Sequence, residues 1–338
     1  MRNETRVLFS QAMASLAAIN KVNSVHEKFT VEPSVQQTLE TKIQESSDFL
    51  SKINTYLVRE MKGQGIGLGV TRPIASRTDT QAKDRQPIDP TMLDSRQYEC
   101  TKTNFDTAIS YAKLDQWAKF PDFYAKFRDV IVKRQALDRI MIGFNGVKVA
   151  KETDFNTNQL LQDVNIGWLQ HQRTENESRT LKAGKDDQKI KIGKTEECDY
   201  HNLDALVMNL VDEMIEPWHQ NNPDLVVITS RKMVADKYFP LVNKDQQNTE
   251  SLAADTIIAQ KRMGNLPVYA VPFFPEGTIL VTTFDNLSIY VQEGARRRTI
   301  VDNAKRDQIE NYESSNEGYY IEDLGLCAMA ENIEIVQG

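Results

Sequence analysis

The chain has 338 residues, 40% apolar and 26% charged, with 41 Lys+Arg against 48 Asp+Glu for a formal charge of −7. This composition belongs to a folded protein of about two domains and excludes disordered and fibrous classes. The acidic balance argues against a chain whose main task is gripping phosphate backbones. Three widely spaced cysteines, Cys100, Cys198 and Cys327, argue against a secreted disulfide framework and fit a reducing cytoplasm.

Residues 1–29 are mildly basic, with Arg2, Arg6, Lys21 and Lys28 against Glu4 and Glu27. Val7, Leu8, Met13, Leu16, Ala17 and Ile19 partly follow the helical repeat. Ser10, Gln11 and Ser15 interrupt the apolar run, so the spacing predicts an amphipathic helix rather than a signal peptide. Leu16 and Ile19 are expected to be available to a partner. No later apolar run approaches the ~20 residues that span a bilayer. Pro33 forces Glu32 into an extended conformation, so Phe29-Thr30-Val31-Glu32 is extended chain that a protease can bind as a strand. Ser34 is the expected N-cap of a helix from Val35 to about Phe49.

In residues 61–113, Gly63, Gly65, Gly67 and Gly69 alternate with Gln64, Ile66, Leu68 and Val70, a strand signal with one face bare. Arg72 to Pro90 reads as an exposed loop, and Tyr98 to Tyr111 as the returning strand. The expected result is a long two-stranded arm, marginal on its own, bendable at its glycines and in need of a neighbouring surface. Asp115 is the expected cap of a first turn, and Pro121 then opens a helix to residue 145. Its apolar stripe is Phe123, Phe127, Val130, Ile131, Leu137, Ile140, Met141 and Phe144. Lys126, Arg128, Lys133, Arg134 and Arg139 fall on the other face.

Residues 151–200 read as polar and irregular, with one apolar patch around Leu160, Leu161, Val164, Ile166 and Trp168. Leu203 to Met214 forms an amphipathic helix closed by Pro217. Leu225-Val226-Val227-Ile228 is a short strand buried on both faces. Ser230 caps a helix from Arg231 to Phe239 that Pro240 follows, and Thr249 caps another to about Gln260. From Pro267 onward the chain reads mostly as strands, Ile309–Tyr312 and Tyr319–Glu322 among them as two separate ones.

No enzymatic constellation is complete. Gly193-Lys194-Thr195 has Gln188 where a phosphate loop needs glycine, and the acidic Glu196, Glu197 and Asp199 follow it. The glycines at 63–69 do not match the dinucleotide fingerprint. Cys198 and His201 are half of a metal site. Arg296-Arg297-Arg298 is the one concentrated basic run. It reads as a guarded strand edge paired with neighbouring acids, including those of an adjacent subunit, or as a nucleic-acid patch. The residues therefore describe a non-enzymatic, two-lobed α+β protein with an arm that needs a partner.

Stretches over nearly the whole chain carry a resemblance. They include Lys28-Phe29-Thr30-Val31-Glu32-Pro33-Ser34-Val35, Gly143-Phe144-Asn145-Gly146, Pro223-Asp224-Leu225-Val226-Val227-Ile228, Val271-Pro272-Phe273-Phe274-Pro275 and Glu310-Asn311-Tyr312-Glu313-Ser314. The chain resembles the major capsid proteins of tailed bacteriophages, the peduovirus group in particular. The resemblance implies the Hong Kong 97-type capsid fold. Residues 1–29 would be a scaffold-interacting propeptide, 30–60 the N-terminal arm and 61–113 the extended loop. Residues 114–199 would be the peripheral domain with its spine helix, 200–266 the axial domain, and 267–338 the rest of the peripheral domain.

The resemblance also implies hexamers and pentamers of an icosahedral head assembled in the host bacterial cytoplasm, and a place in the virion. The implied partners are an internal scaffold, a prohead protease that cuts between Phe29 and Thr30, a portal protein, and packaged double-stranded DNA enclosed without sequence reading. No cofactor, metal, catalytic residue or membrane is implied. Gly65, Gly67, Arg296, Arg297 and Arg298 stand as inter-subunit candidates. An encapsulin-like compartment shell and a small-molecule α/β enzyme are the alternatives.

Overall fold

The computed structural model of the chain describes residues 1–65, 75–87, 96–118, 120, 123–185, 188–242 and 261–336. The expected helix from Thr249 to Gln260, Gly67 and Gly69 lie outside them. In chain order the elements begin with α1 (Asn3–Ile19), β1 (Phe29–Thr30), α2 (Pro33–Glu45), β2 (Asn54–Val58), β3 (Lys62–Gln64) and β4 (Gln97–Glu99). Then come β5 (Thr101–Asn104), β6 (Thr107–Ser110), α3 (Tyr111–Trp117), α4 (Phe123–Asn145), α5 (Trp168–Glu175), β7 (Thr180–Leu181) and β8 (Ile190–Ile192). The second half holds α6 (Leu203–Asn209), β9 (Val226–Thr229), α7 (Arg231–Val242), β10 (Arg262–Met263), β11 (Leu266–Ala270) and β12 (Ile279–Thr282). The chain closes with β13 (Leu287–Gln292), β14 (Arg297–Asn303), β15 (Gln308–Ile321), β16 (Ala328–Ala330) and β17 (Ile333–Ile335).

Two sheets organise these elements. The first runs β1-β14-β15-β13-β2, with β5 and β6 also paired to the long β15; the second runs β10-β11-β9-β12-β16-β7. β9 is central in the second sheet and buried at all four residues, as its unbroken apolar run demands. Its neighbours split by the two-residue period of a strand. Ile228, Leu280 and Met329 face a core shared with the first sheet, α2, α4 and α5. Val227, Ile279, Val281, Ala328 and Ala330 face a second core with Leu206 and Leu210. The expected division at residue 267 therefore does not follow the sheets: β11, β12 and β16 belong with β9, and β13 to β15 with the first sheet.

Several local expectations change. α2 starts at Pro33 rather than Val35, because proline lacks the amide hydrogen that the first helical turn leaves unpaired anyway. α7 continues past Pro240 to Val242. The 151–200 stretch contains α5, whose Trp168 and Leu169 are fully buried. The Trp168 indole N–H donates to the Ser288 carbonyl at 3.0 Å. Its ring lies against Gly143, where a Cβ would come within 2.2 Å of it, so the helix can pack there only without a side chain.

The extended arm is also different at its base. β3 and β4 pair over three residues each, but β5 and β6 leave the hairpin and pair with β15. Gly63 and Gly65 are closely approached by aromatic rings. A Cβ on Gly63 would meet the Tyr98 ring, and one on Gly65 would meet Tyr320 at 2.6 Å.

Candidate assembly and processing site

Residues 1–31 lie along one edge of the first sheet. Phe29 and Thr30 pair antiparallel with Arg298 and Arg297 of β14. The Val31 N–H donates to the Arg296 carbonyl at 2.9 Å, and the Ile300 N–H donates to the Val25 carbonyl at 2.9 Å. The Phe29 side chain is 7% exposed and packs in a cluster that includes Phe9, Met13, Ile109, Leu114, Ile300 and Ile309. The bond expected to be cut is therefore extended, as Pro33 predicts, and already paired as a strand.

α1 reaches that cluster through Thr5, Phe9 and Met13, one face at four-residue spacing. Leu16 packs on the same cluster, so it does not face outward as expected, whereas Ile19 is 57% exposed. Asp115 does not cap a turn of its own: it lies in α3, and its carboxylate accepts the Arg2 N–H at 2.9 Å. That hydrogen bond holds the Asp115 carboxyl below its ordinary range. Arg6 pairs with Asp302 at 3.0 Å, and the Tyr111 hydroxyl donates to the same carboxylate. Burial pushes the Asp302 pKa up, but Tyr111 and Arg6 outweigh it and hold it low. Past the helix, Lys21 pairs with Glu32 at 2.8 Å, and the Asn20 side chain accepts the Glu32 N–H at 3.2 Å. The helix is thus braced to residues on both sides of the Phe29–Thr30 bond.

Just inside this edge, five charged side chains are buried together. Arg139 donates to Glu40 at 2.6 Å and, through two nitrogens, to Glu317 at 2.7 and 3.1 Å. Arg296 donates to Glu40 at 2.6 Å, to Glu313 at 2.7 Å and to Gln135 at 2.9 Å. The Glu40 carboxylate bridges the two guanidiniums, joining α2 to α4 and to the β14–β15 pair. Burial alone would weaken the charge on Arg139, but Glu317 and Glu40 hold its pKa well above the ordinary value. Burial likewise pushes Glu313 and Glu317 up, and the facing arginines more than reverse it, leaving both low.

This cluster corrects two expectations. Arg139 does not sit on a solvated face; it is 2% exposed. Arg296 is not a surface inter-subunit residue; it is fully buried and paired within its own chain. The helical period contains a signal for the first: Gln135, Arg139 and Gly143 share a stripe with Val132, Ala136 and Ile140.

The three arginines part company. Arg298 donates to Asn311 at 2.6 Å. Arg297 lines an open cleft of about 340 Å³ with Lys28, Lys102, Asp106 and Tyr312. Glu313, paired with Arg296, also lines it; Lys28, Lys102 and Arg297 make no ion pair among the described residues, so three cations face two carboxylates there. Cys198 and His201 do not meet as a pair of ligands: the thiol is buried, 3.1 Å from the Thr195 hydroxyl, and His201 is exposed. No helix among the described residues is long and apolar enough to cross a membrane.

Comparison with known proteins agrees with this architecture. The model of the family "Phage major capsid protein, P2 family" matches residues 8–333. The capsid protein of Escherichia phage P2 is 50% identical over 344 residues, covering 99% of this chain and 96% of the relative. The major capsid protein of Serratia phage KSP20 is 39% identical over 347 residues, covering 100% and 99%. A chain of the satellite phage P4 procapsid, solved with its size determination (Sid) protein, is 47% identical with a TM-score of 0.83, covering 100% of this chain and 99% of that one. The capsid of the native GTA particle, at 13% identity and a TM-score of 0.51 over 86% of this chain and 91% of that one, shares the fold alone. The fold is the Hong Kong 97-type capsid fold, and the likeness to viral shell proteins runs from the first helix to the last strand. This chain belongs to the P2 family of phage major capsid proteins.

Proposed function

We propose that this major capsid protein is made as a precursor, assembles into the hexamers and pentamers of an icosahedral head around an internal scaffold, and is trimmed by a prohead protease between Phe29 and Thr30. The observation that carries the shell role is the full-length likeness to a procapsid subunit. Family membership takes the place of the compartment-shell and small-molecule-enzyme alternatives. A portal protein occupies one vertex, and the shell encloses double-stranded DNA without reading it. Trimming removes four basic and two acidic residues and takes the subunit from −7 to −9, which keeps the shell from gripping incoming phosphates.

In this reading residues 30–60 act as the N-terminal arm, α4 as the spine, and the lobe built on the second sheet faces the capsomer centre. Arg297, with Lys28 and Lys102, meets an acidic segment of an adjacent subunit. The test is negative-stain microscopy of particles from cells expressing the chain with its phage assembly genes, with intact mass measurement of the shell protein. Closed shells whose subunit begins at Thr30 are the expected result. Shells built from a chain beginning at Met1 or Arg2 overturn the processing and leave the shell role standing; soluble monomers alone overturn both.

A further inference from the structure

We infer that the segment before the cut masks its own cleavage site: the Phe29–Thr30 bond is closed to a protease while α1 is docked, and opens when α1 leaves. The inference rests on the processing reading for the identity of the bond, and on geometry for the mask. A protease binds its substrate as an unpaired extended strand and takes the side chain before the cut into a pocket. Here neither is on offer. The backbone on both sides of the bond is paired to Arg297 and Arg298, and Val31 continues the pairing to Arg296. The Phe29 side chain is 7% exposed and buried in the cluster that contains Phe9, Met13, Ile109 and Ile300.

The mask and the helix form one unit. Phe9 and Met13 of α1 belong to the same buried cluster as Phe29. Asn20 and Lys21, at the end of α1, hold Glu32 on the far side of the bond. Val25 extends the pairing along β14. Lifting α1 therefore removes those cluster residues, the brace and part of the strand pairing together. A two-residue strand at a sheet edge has little to hold it once those are gone. The bond is then cut at a rate set by the population of the open form.

Chymotrypsin cleaves after aromatic side chains and reads this opening without the phage protease. The full-length chain is digested under native conditions, and fragments beginning at Thr30 are timed by mass spectrometry. Cleavage after Phe155, whose side chain is 65% exposed, is the internal control. In the wild-type chain the Phe29 cut lags far behind the Phe155 cut. Phe9→Ala accelerates the Phe29 cut about ten-fold or more, as expected when a large-to-small change raises the open population, and leaves the Phe155 cut unchanged. Arg6→Ala, which removes only the Asp302 pair, gives a smaller acceleration and covers the case in which Phe9→Ala fails to fold. Equal, fast cutting at Phe29 in the wild type and in a folded variant overturns the mask. A shell protein that keeps its first residue overturns the processing alone, because the chymotrypsin result does not depend on it.

Discussion

Two regions of the molecule, the outer face of the second sheet and the seam between the first sheet and its helices, are held together in different ways. The core containing Leu206, Leu210, Val227 and Ile279 is hydrocarbon. The seam where α2, α4 and the β14–β15 pair meet buries three carboxylates and two guanidiniums. Hydrocarbon packing is non-directional and tolerates volume-conserving change. An ion cluster is directional, and its net contribution to stability is small beside the penalty for breaking it. The difference places the demand for fixed geometry where the arm helix, the spine and the first sheet converge, and the demand for mere volume where α6 covers its sheet.

The sharpest break in that comparison is Arg139→Ala. It leaves Glu317 buried without its bidentate partner, and destabilisation of about 3–5 kcal/mol is expected, measured by urea unfolding of the soluble chain. Leu206→Ala in the hydrocarbon core removes volume without orphaning a charge, and about 3 kcal/mol is expected from transfer and cavity terms. Acid separates the two without mutation. Glu313 and Glu317 have depressed pKa values in the folded chain. Their contribution is fully present above the ordinary carboxylate range and is lost as pH falls through the folded values. Wild-type stability should therefore drop below about pH 4.5, and the drop should shrink in Arg139→Ala but persist in Leu206→Ala.

Smaller effects sharpen the picture at the margins. Gly65→Ala puts a Cβ against Tyr320 and should cost about 1–3 kcal/mol by overpacking, read as a lower thermal midpoint. An unchanged midpoint would return that glycine to a role in bending. Arg6→Ala breaks a half-exposed pair with Asp302 and should leave the global unfolding midpoint nearly unchanged, even as it loosens α1 locally.

The sequence made some of this legible and hid the rest for physical reasons. The run Leu225 to Ile228 declares a central strand because no other placement buries four consecutive apolar side chains. Pro33 declares the extended chain before it because its ring forbids the alternative. The ion cluster stays hidden because arginine and glutamate are usually solvated, and their partners lie far apart in the chain; Glu40 and Arg296 are 256 residues apart. The interior of β15 is masked in the same way. Its run Glu313-Ser314-Ser315-Asn316-Glu317 reads as a break between two strands, yet it continues one strand whose polar groups find partners inside. Phe29 and Thr30 could be placed in extended chain from Pro33, but not against β14, since nothing in a two-residue stretch names the strand it pairs with.

The cleft beside the cut has one more consequence. Its rim carries Lys28, Lys102 and Arg297, and Lys28 would leave with the excised segment. Hydrolysis between Phe29 and Thr30 frees an α-amino group on Thr30, the residue paired with Arg297. One cation replaces another, but they differ in kind. A lysine ammonium stays charged at any physiological pH, whereas an α-amine has an ordinary pKa of about 7.7–8.0, and the positive charge of Arg297 would draw it lower. If the bond is cut as proposed, one of the three cations of this cleft becomes a group that titrates near neutrality while Lys102 and Arg297 remain on the rim, so the charge of the patch would fall by one as pH rises through that range.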